Sequence, residues 1–139
     1  MLLPPETKAD AAARALVRRI QATDRPALVQ NDAELRAAIE ADGVHLSNPS
    51  EVGALRRKLG DGLIVGAECA VERHACMEAA EAGADYVAVR VTERNHAAVL
   101  ELLAWWQEMM TVPIVALLDD VMEHAPIAAS ADFISPPAA

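Results

Sequence analysis

Six short runs of β-branched and aliphatic residues alternate along this chain with longer stretches of helical periodicity, and that alternation constrains the fold more than any other feature. The strand-like runs are residues 26–30, 43–46, 63–66, 85–89, 114–118 and 131–134. Between them, helical patterns cover 6–22, 32–41, 48–59, 71–82, 95–110 and 120–129. Strands separated by helices can pair in one sheet only through repeated right-handed crossovers, which makes the sheet parallel. The reading begins on a helix, with no strand before it, and ends near Pro136-Pro137. A closed barrel of such units needs eight strands and about 250 residues, so a chain of 139 residues falls short of one.

Local signals agree with this division. In the first helix Ala12, Leu16, Val17 and Ile20 are expected to form the apolar face. Pro49 sits where a first-turn proline is tolerated, Arg56, Arg57 and Lys58 complement the negative end of the helix that follows, and Gly83 is a natural helix stop. Apolar residues make up 53% of the chain, mostly Ala, Val and Leu, with few aromatics. Small aliphatics suit helices packed on a parallel sheet. The whole chain, 1–139, therefore reads as a single domain, with Pro-rich ends at 1–5 and 135–139 expected to be flexible.

The formal charge of −9 disfavours nucleic acid and anionic membrane surfaces as partners. Cys69 and Cys76 match neither a C-x-x-C pair nor a zinc pattern, and are expected to be buried free thiols in a reducing compartment. The N-terminus is too short and uncharged for a signal peptide, and no apolar run reaches membrane-spanning length. A soluble cytoplasmic protein is expected.

Four segments carry a family resemblance. They are Asn31-Asp32, Ala41-Asp42-Gly43-Val44-His45-Leu46, Ala82-Gly83-Ala84-Asp85-Tyr86-Val87, and the double-tryptophan stretch from Trp105-Trp106 to Val112-Pro113. In this order and spacing they resemble the thiamine-phosphate synthase and thiazole-tautomerase family, over residues 10–134. The resemblance implies an incomplete TIM-type (β/α) barrel of about six parallel strands. The family barrel's first two strands are missing, the second of which carries groups that grip the pyrimidine diphosphate. It also implies a reaction, in which pyrophosphate leaves a hydroxymethyl-pyrimidine diphosphate and the nitrogen of a thiazole phosphate captures the resulting cation. Such chemistry needs magnesium on the diphosphate, donors for the leaving oxygens and a phosphate cradle.

Carried over position by position, the resemblance makes Asp32 a magnesium ligand and Asn31 a substrate contact, although an aspartate there also suits a helix cap. Asn48 replaces a substrate-contacting glutamine, and Ser50 stands where the family has a second metal carboxylate. Glu51 lies one position on, turned about 100° around a helix. Glu68 occupies the place of a small hydroxyl residue near the diphosphate. The loop after Val89 is short, lacks the family's lysine, and leaves Arg90 and Arg94 as the nearby cations. Asp119-Asp120 replaces a glycine pair whose bare N–H groups hold the thiazole phosphate, and Pro136-Pro137 offers no N–H groups at all. His45, His74, His96 and His124 form no i, i+4 pair, and solvated or hydrogen-bonded roles are expected for them.

No catalytic residue is assigned on this reading. The main expectation is a family member without synthase activity, acting as a small-ligand-binding or subunit protein. No cofactor is expected, and magnesium enters only if the chain is an active synthase completed by another subunit. A homodimer, or a partner, is expected to cover the open edges of the sheet. A third possibility is an acidic pocket of Asp32, Glu68, Asp119 and Asp120 that binds a cation.

Overall fold

The computed structural model describes residues 2–118 and the backbone of residues 133–135. The elements are α1 (Ala11–Gln21), β1 (Leu28–Gln30), α2 (Ala33–Ile39), β2 (Gly43–Leu46), a 3-10 turn (Pro49–Glu51), α3 (Val52–Leu59), β3 (Ile64–Glu68), α4 (Arg73–Glu81), β4 (Tyr86–Arg90), α5 (His96–Met109), β5 (Ile114–Leu117) and β6 (Phe133–Ser135). All five neighbouring pairs are parallel, and the sheet runs in chain order from β1 to β6. The expected α/β architecture of six parallel strands is thus present. The expected helix over 120–129 lies outside the described residues.

The starts of α1 and α2 are set by side-chain caps, from Asp10 and Asp32. The first helix begins at Ala11, not at residue 6, because the Asp10 side chain accepts the Ala13 N–H at 2.8 Å. Such a cap is worth about 1 kcal/mol. The buried face of α1 is Ala13, Val17 and Ile20, whereas Leu16 is exposed, which corrects the expected register. Residues 49–51 form a tight 3-10 turn before α3, since the Asn48 side chain captures the Ser50 N–H. Gly83, at φ 114°, ends the α4 segment as its sequence position predicts.

The sequence showed no strand before α1, but a short extended piece lies there. Leu2 bridges Leu28 in parallel, the Leu3 N–H donates to Leu28 O at 2.8 Å, and Gln30 Nε2 donates to Leu3 O at 2.9 Å. Leu3 is only 1% exposed. The expected loose end at 1–5 is therefore anchored on β1 through its two leucines, because burial of Leu3 and two hydrogen bonds offset the ordering of a short segment. At the other end Ser135 is part of β6, and residues 136–139 lie outside the described residues.

Strand alternation divides the sheet into two faces. Val29, Val44, Leu46, Val65, Ala67, Val87, Val89, Ile114 and Ala116 pack with Val17, Ile39, Val52, Cys76, Val99, Leu103 and Trp106 of the helices. The opposite face carries Leu28, Gln30, His45, Gly66, Glu68, Tyr86, Ala88, Arg90 and Leu117. It is the face that becomes the interior when such a sheet closes.

Two aspartates repeat one device at the N-terminal ends of strands. The Asp42 N–H donates to Ala27 O at 2.8 Å, while Asp42 Oδ2 accepts the Ala27 N–H at 2.7 Å. Asp85 does the same to Val65, at 2.7 and 2.8 Å. Each aspartate ties off the start of the preceding strand. Asp85 also pairs with Arg56, whose guanidinium donates to the carbonyls of Gly60, Leu63 and Gly83.

Candidate functional site

The C-terminal ends of the strands gather the polar residues. Parallel α/β sheets place their ligands there because loops, not helices, close that end. Asn31 follows β1 with φ 59°, a left-handed conformation that asparagine tolerates better than most residues. Its N–H donates to His45 O at 2.9 Å, its Oδ1 accepts the Ser47 N–H at 2.8 Å, and its Nδ2 donates to Ser47 Oγ at 2.9 Å. Asn31 thus bolts the end of β1 to the end of β2. Asp32 caps α2, its Oδ1 accepting the Leu35 N–H at 2.9 Å. Asn48 Oδ1 accepts both the N–H and the hydroxyl of Ser50, at 3.0 and 2.8 Å. All three residues named from the resemblance stand at strand ends, and each makes a local structural contact.

The structure also assembles a cluster that the sequence alone did not. Register aligns Gln30, His45, Gly66 and Tyr86 in one row across β1 to β4. One step further on, Glu68 lies opposite Ala88, and one step beyond that Arg90 lies opposite Leu117. Arg90 Nη2 sits 3.0 Å from Glu68 Oε1, and Arg90 Nε sits 3.4 Å from Oε2, so a fork meets a carboxylate. Below them, Tyr86 Oη is 2.6 Å from His45 Nδ1, and the two rings stack with centroids 5.8 Å apart. Gly66 makes this possible, since a Cβ there would collide with the Tyr86 ring.

Burial dominates the electrostatics. Desolvation lowers the pKa of His45, Glu68 pushes it back up, and Arg90 pushes it down again. Burial also raises the Tyr86 hydroxyl above its ordinary value, so the pair is neutral at pH 7. Cys69 and Cys76 are buried free thiols, as expected. A hydrogen bond to Cys76 and then burial raise the pKa of Cys69 and keep it protonated. His74 is exposed and meets Glu78 at 2.9 Å, and His124 lies outside the described residues.

Of the magnesium ligands implied by the resemblance, Asp32 is present and Ser50 replaces the second carboxylate. Among the described residues no group of three His, Cys, Asp or Glu side chains is placed to hold a metal. Asp32 has one carboxylate oxygen on the α2 cap, and the Ser50 hydroxyl donates to Asn48 Oδ1. That leaves Asp32 as the one family carboxylate among the described residues, and it would need phosphate oxygens and water to complete a magnesium shell. For an acidic pocket, Glu68 is neutralised by Arg90, while Asp119 and Asp120 lie outside the described residues. No helix among the described residues is long and apolar enough to cross a membrane.

The pattern of the thiamine monophosphate synthase family matches residues 5–131. The chain belongs to that family. It is 38% identical over 125 residues to the thiamine-phosphate synthase of Rhodospirillum centenum, a match covering 84% of this chain and 60% of that protein. The synthase of Erythrobacter litoralis is 37% identical over 124 residues, covering 78% and 57%. The chain thus spans about 60% of the length of these curated relatives. A thiamine phosphate pyrophosphorylase from Pyrococcus furiosus superposes with a TM-score of 0.70 at 23% identity, covering 91% of this chain and 64% of that one. That likeness shows the fold, and six parallel strands in chain order fit part of its barrel.

Glu68 and Arg90 were noted separately in the sequence, but not as a pair. Their spacing of 22 residues carries no signal, because their contact depends on the relative register of β3 and β4. The His45–Tyr86 pair was hidden for the same reason. Gly66, two residues before Glu68, was its one visible trace.

Proposed function

We propose that this chain is a thiamine monophosphate synthase-family protein that does not itself couple pyrimidine to thiazole, and that it serves as a small-ligand-binding or subunit protein. One observation carries the reading. Glu68 and Arg90 neutralise each other at the end of β3 and β4, where an active synthase must present uncompensated donors to phosphate oxygens. A carboxylate at that place repels a diphosphate, and the cation that would attract it is already engaged. The replacement of the family's second metal carboxylate by Ser50, a weaker magnesium ligand, supports the same conclusion. The strands β1 and β6 end the sheet, and on its outer side β1 meets only the short Leu2-Leu3 piece among the described residues, which favours a second copy or a partner against an edge.

The sequence identity to proteins named as synthases supports a second reading, in which the chain is active once another subunit completes the site. One experiment separates the two. The purified chain, at concentrations that span its assembly states, is incubated with the pyrimidine diphosphate, the thiazole phosphate and magnesium. The first reading predicts no thiamine phosphate above a protein-free control. Multiple turnovers would overturn it in favour of the second.

A further inference from the structure

We propose that Glu68 is a specificity-determining residue that closes a latent phosphate-class anion site centred on Arg90. The inference rests on the preceding reading of the strand ends, and extends it from what the site lacks to what holds it shut.

The geometry is that of an internal substitute ligand. Arg90 presents its fork, through Nε and Nη2, to the two carboxylate oxygens of Glu68 at 3.4 and 3.0 Å. A guanidinium fork binds a phosphate oxygen pair in the same way. Both side chains project from the last residues of their strands, on the face shared with His45 and Tyr86. The Arg90 side chain is 51% exposed, so an anion from solvent can reach it, while Glu68 is only 27% exposed. The backbone of Arg90 is itself pinned, since the Asn95 side chain donates to Arg90 O at 2.9 Å and caps the turn through the Thr92 N–H at 2.8 Å. The backbone from which the guanidinium projects is therefore fixed at the end of β4 independently of Glu68. Two elements of an anion site are in place, a guanidinium fork on an anchored backbone and access from solvent. The occupant is a carboxylate of the chain itself.

Solvent screens a half-exposed pair, so the ion pair contributes little to folding. Its effect on an incoming anion is larger. A diphosphate must displace Glu68 from Arg90 and also face the displaced negative charge. A unit charge a few ångströms away, between the limits of bulk water and protein surface, changes anion affinity by about ten-fold or more.

The test is pyrophosphate binding, measured by calorimetry without magnesium at low salt, on the wild-type chain, Glu68→Ala, Glu68→Gln and Glu68→Ala/Arg90→Ala. The wild type is expected to bind weakly. Glu68→Ala is expected to bind about ten-fold tighter or more, Glu68→Gln to lie between, and the double variant to return to the wild-type level. If both single variants bind no tighter than the wild type, the inference fails. It fails equally if the double variant keeps the gain, because the added affinity would then come from lost negative charge and not from Arg90. Thermal melts confirm that each variant is folded. Turnover by the wild type would overturn the proposed function without touching this comparison, which reads binding in the absence of the second substrate.

Discussion

Tyr86 reaches over the bare backbone of Gly66 to place its hydroxyl 2.6 Å from Nδ1 of His45. Three strands are tied together by this contact, on the face away from the helices. His45 is 2% exposed, so no bulk water replaces a lost partner. Tyr86→Phe is expected to cost about 1–3 kcal/mol, the range for leaving a buried polar atom unsatisfied. Gly66→Ala is expected to cost at least as much, because the Tyr86 ring must leave its place. Urea unfolding of both variants checks the ranking, and a Tyr86→Phe variant as stable as the wild type would refute it.

The same burial makes stability depend on pH. His45 has its pKa lowered in the folded chain, chiefly by desolvation, with Glu68 raising it and Arg90 lowering it as smaller effects. In the unfolded chain the imidazole titrates near its ordinary value of about 6.5. Between the two values the unfolded state binds more protons. Stability from the neutral ring is thus complete above about pH 6.5 and is lost as pH falls toward the lowered folded value, by up to about 1.4 kcal/mol per pH unit. Denaturation between about pH 7.5 and 5 should show this slope, and His45→Gln should flatten it. An imidazole proton signal for His45 with a midpoint at or above about 6.5 would contradict the assignment.

The strands were legible because β-branched runs bounded by Gly, Pro and Asp have few other ways to fold, and each expected strand overlaps an observed one. Their ends were less so. Residues 6–10 have acceptable helix propensity, yet the Asp10 cap starts α1 later. Two of the segments that carry the family resemblance turn out to be scaffold. Asp42 and Asp85 bind Ala27 and Val65 at the start of the preceding strand, at the end of the sheet away from Arg90. The candidate site was legible only in part. Asn31 and Asp32 could be placed at a strand end from the sequence alone, but the Glu68–Arg90 and His45–Tyr86 pairs depend on interstrand register, which a single sequence does not encode locally.

Arg56 should be among the most costly polar residues to replace. Its side chain is 14% exposed and meets three carbonyls, of Gly60, Leu63 and Gly83, together with the Asp85 carboxylate. It closes the ends of α3 and α4 against the starts of β3 and β4. Lysine keeps the charge and loses the fork. Arg56→Lys is expected to destabilise by about 1–3 kcal/mol, and Arg56→Ala by more, since hydrogen bonds to a charged group contribute about 1.5–3 kcal/mol each before rearrangement. Chemical denaturation measures both. Equal stability of the lysine variant would mean that the carbonyl contacts contribute nothing.

Asp32 offers the sharpest separation of a structural from a metal-binding role. As the α2 cap, its Oδ1 accepts the Leu35 N–H at 2.9 Å, and among the described residues no group of three His, Cys, Asp or Glu side chains is placed to hold a metal. Asparagine caps as well as aspartate, and alanine does not. Asp32→Asn should therefore fold with nearly wild-type stability, and Asp32→Ala should lose about 1 kcal/mol. Magnesium at millimolar concentration should shift the melting temperature of neither the wild type nor Asp32→Asn, because hydrated magnesium gains little from a single exposed carboxylate without phosphate to share it. A magnesium-dependent rise seen in the wild type and abolished by Asp32→Asn would assign the carboxylate to the ion instead of to the helix.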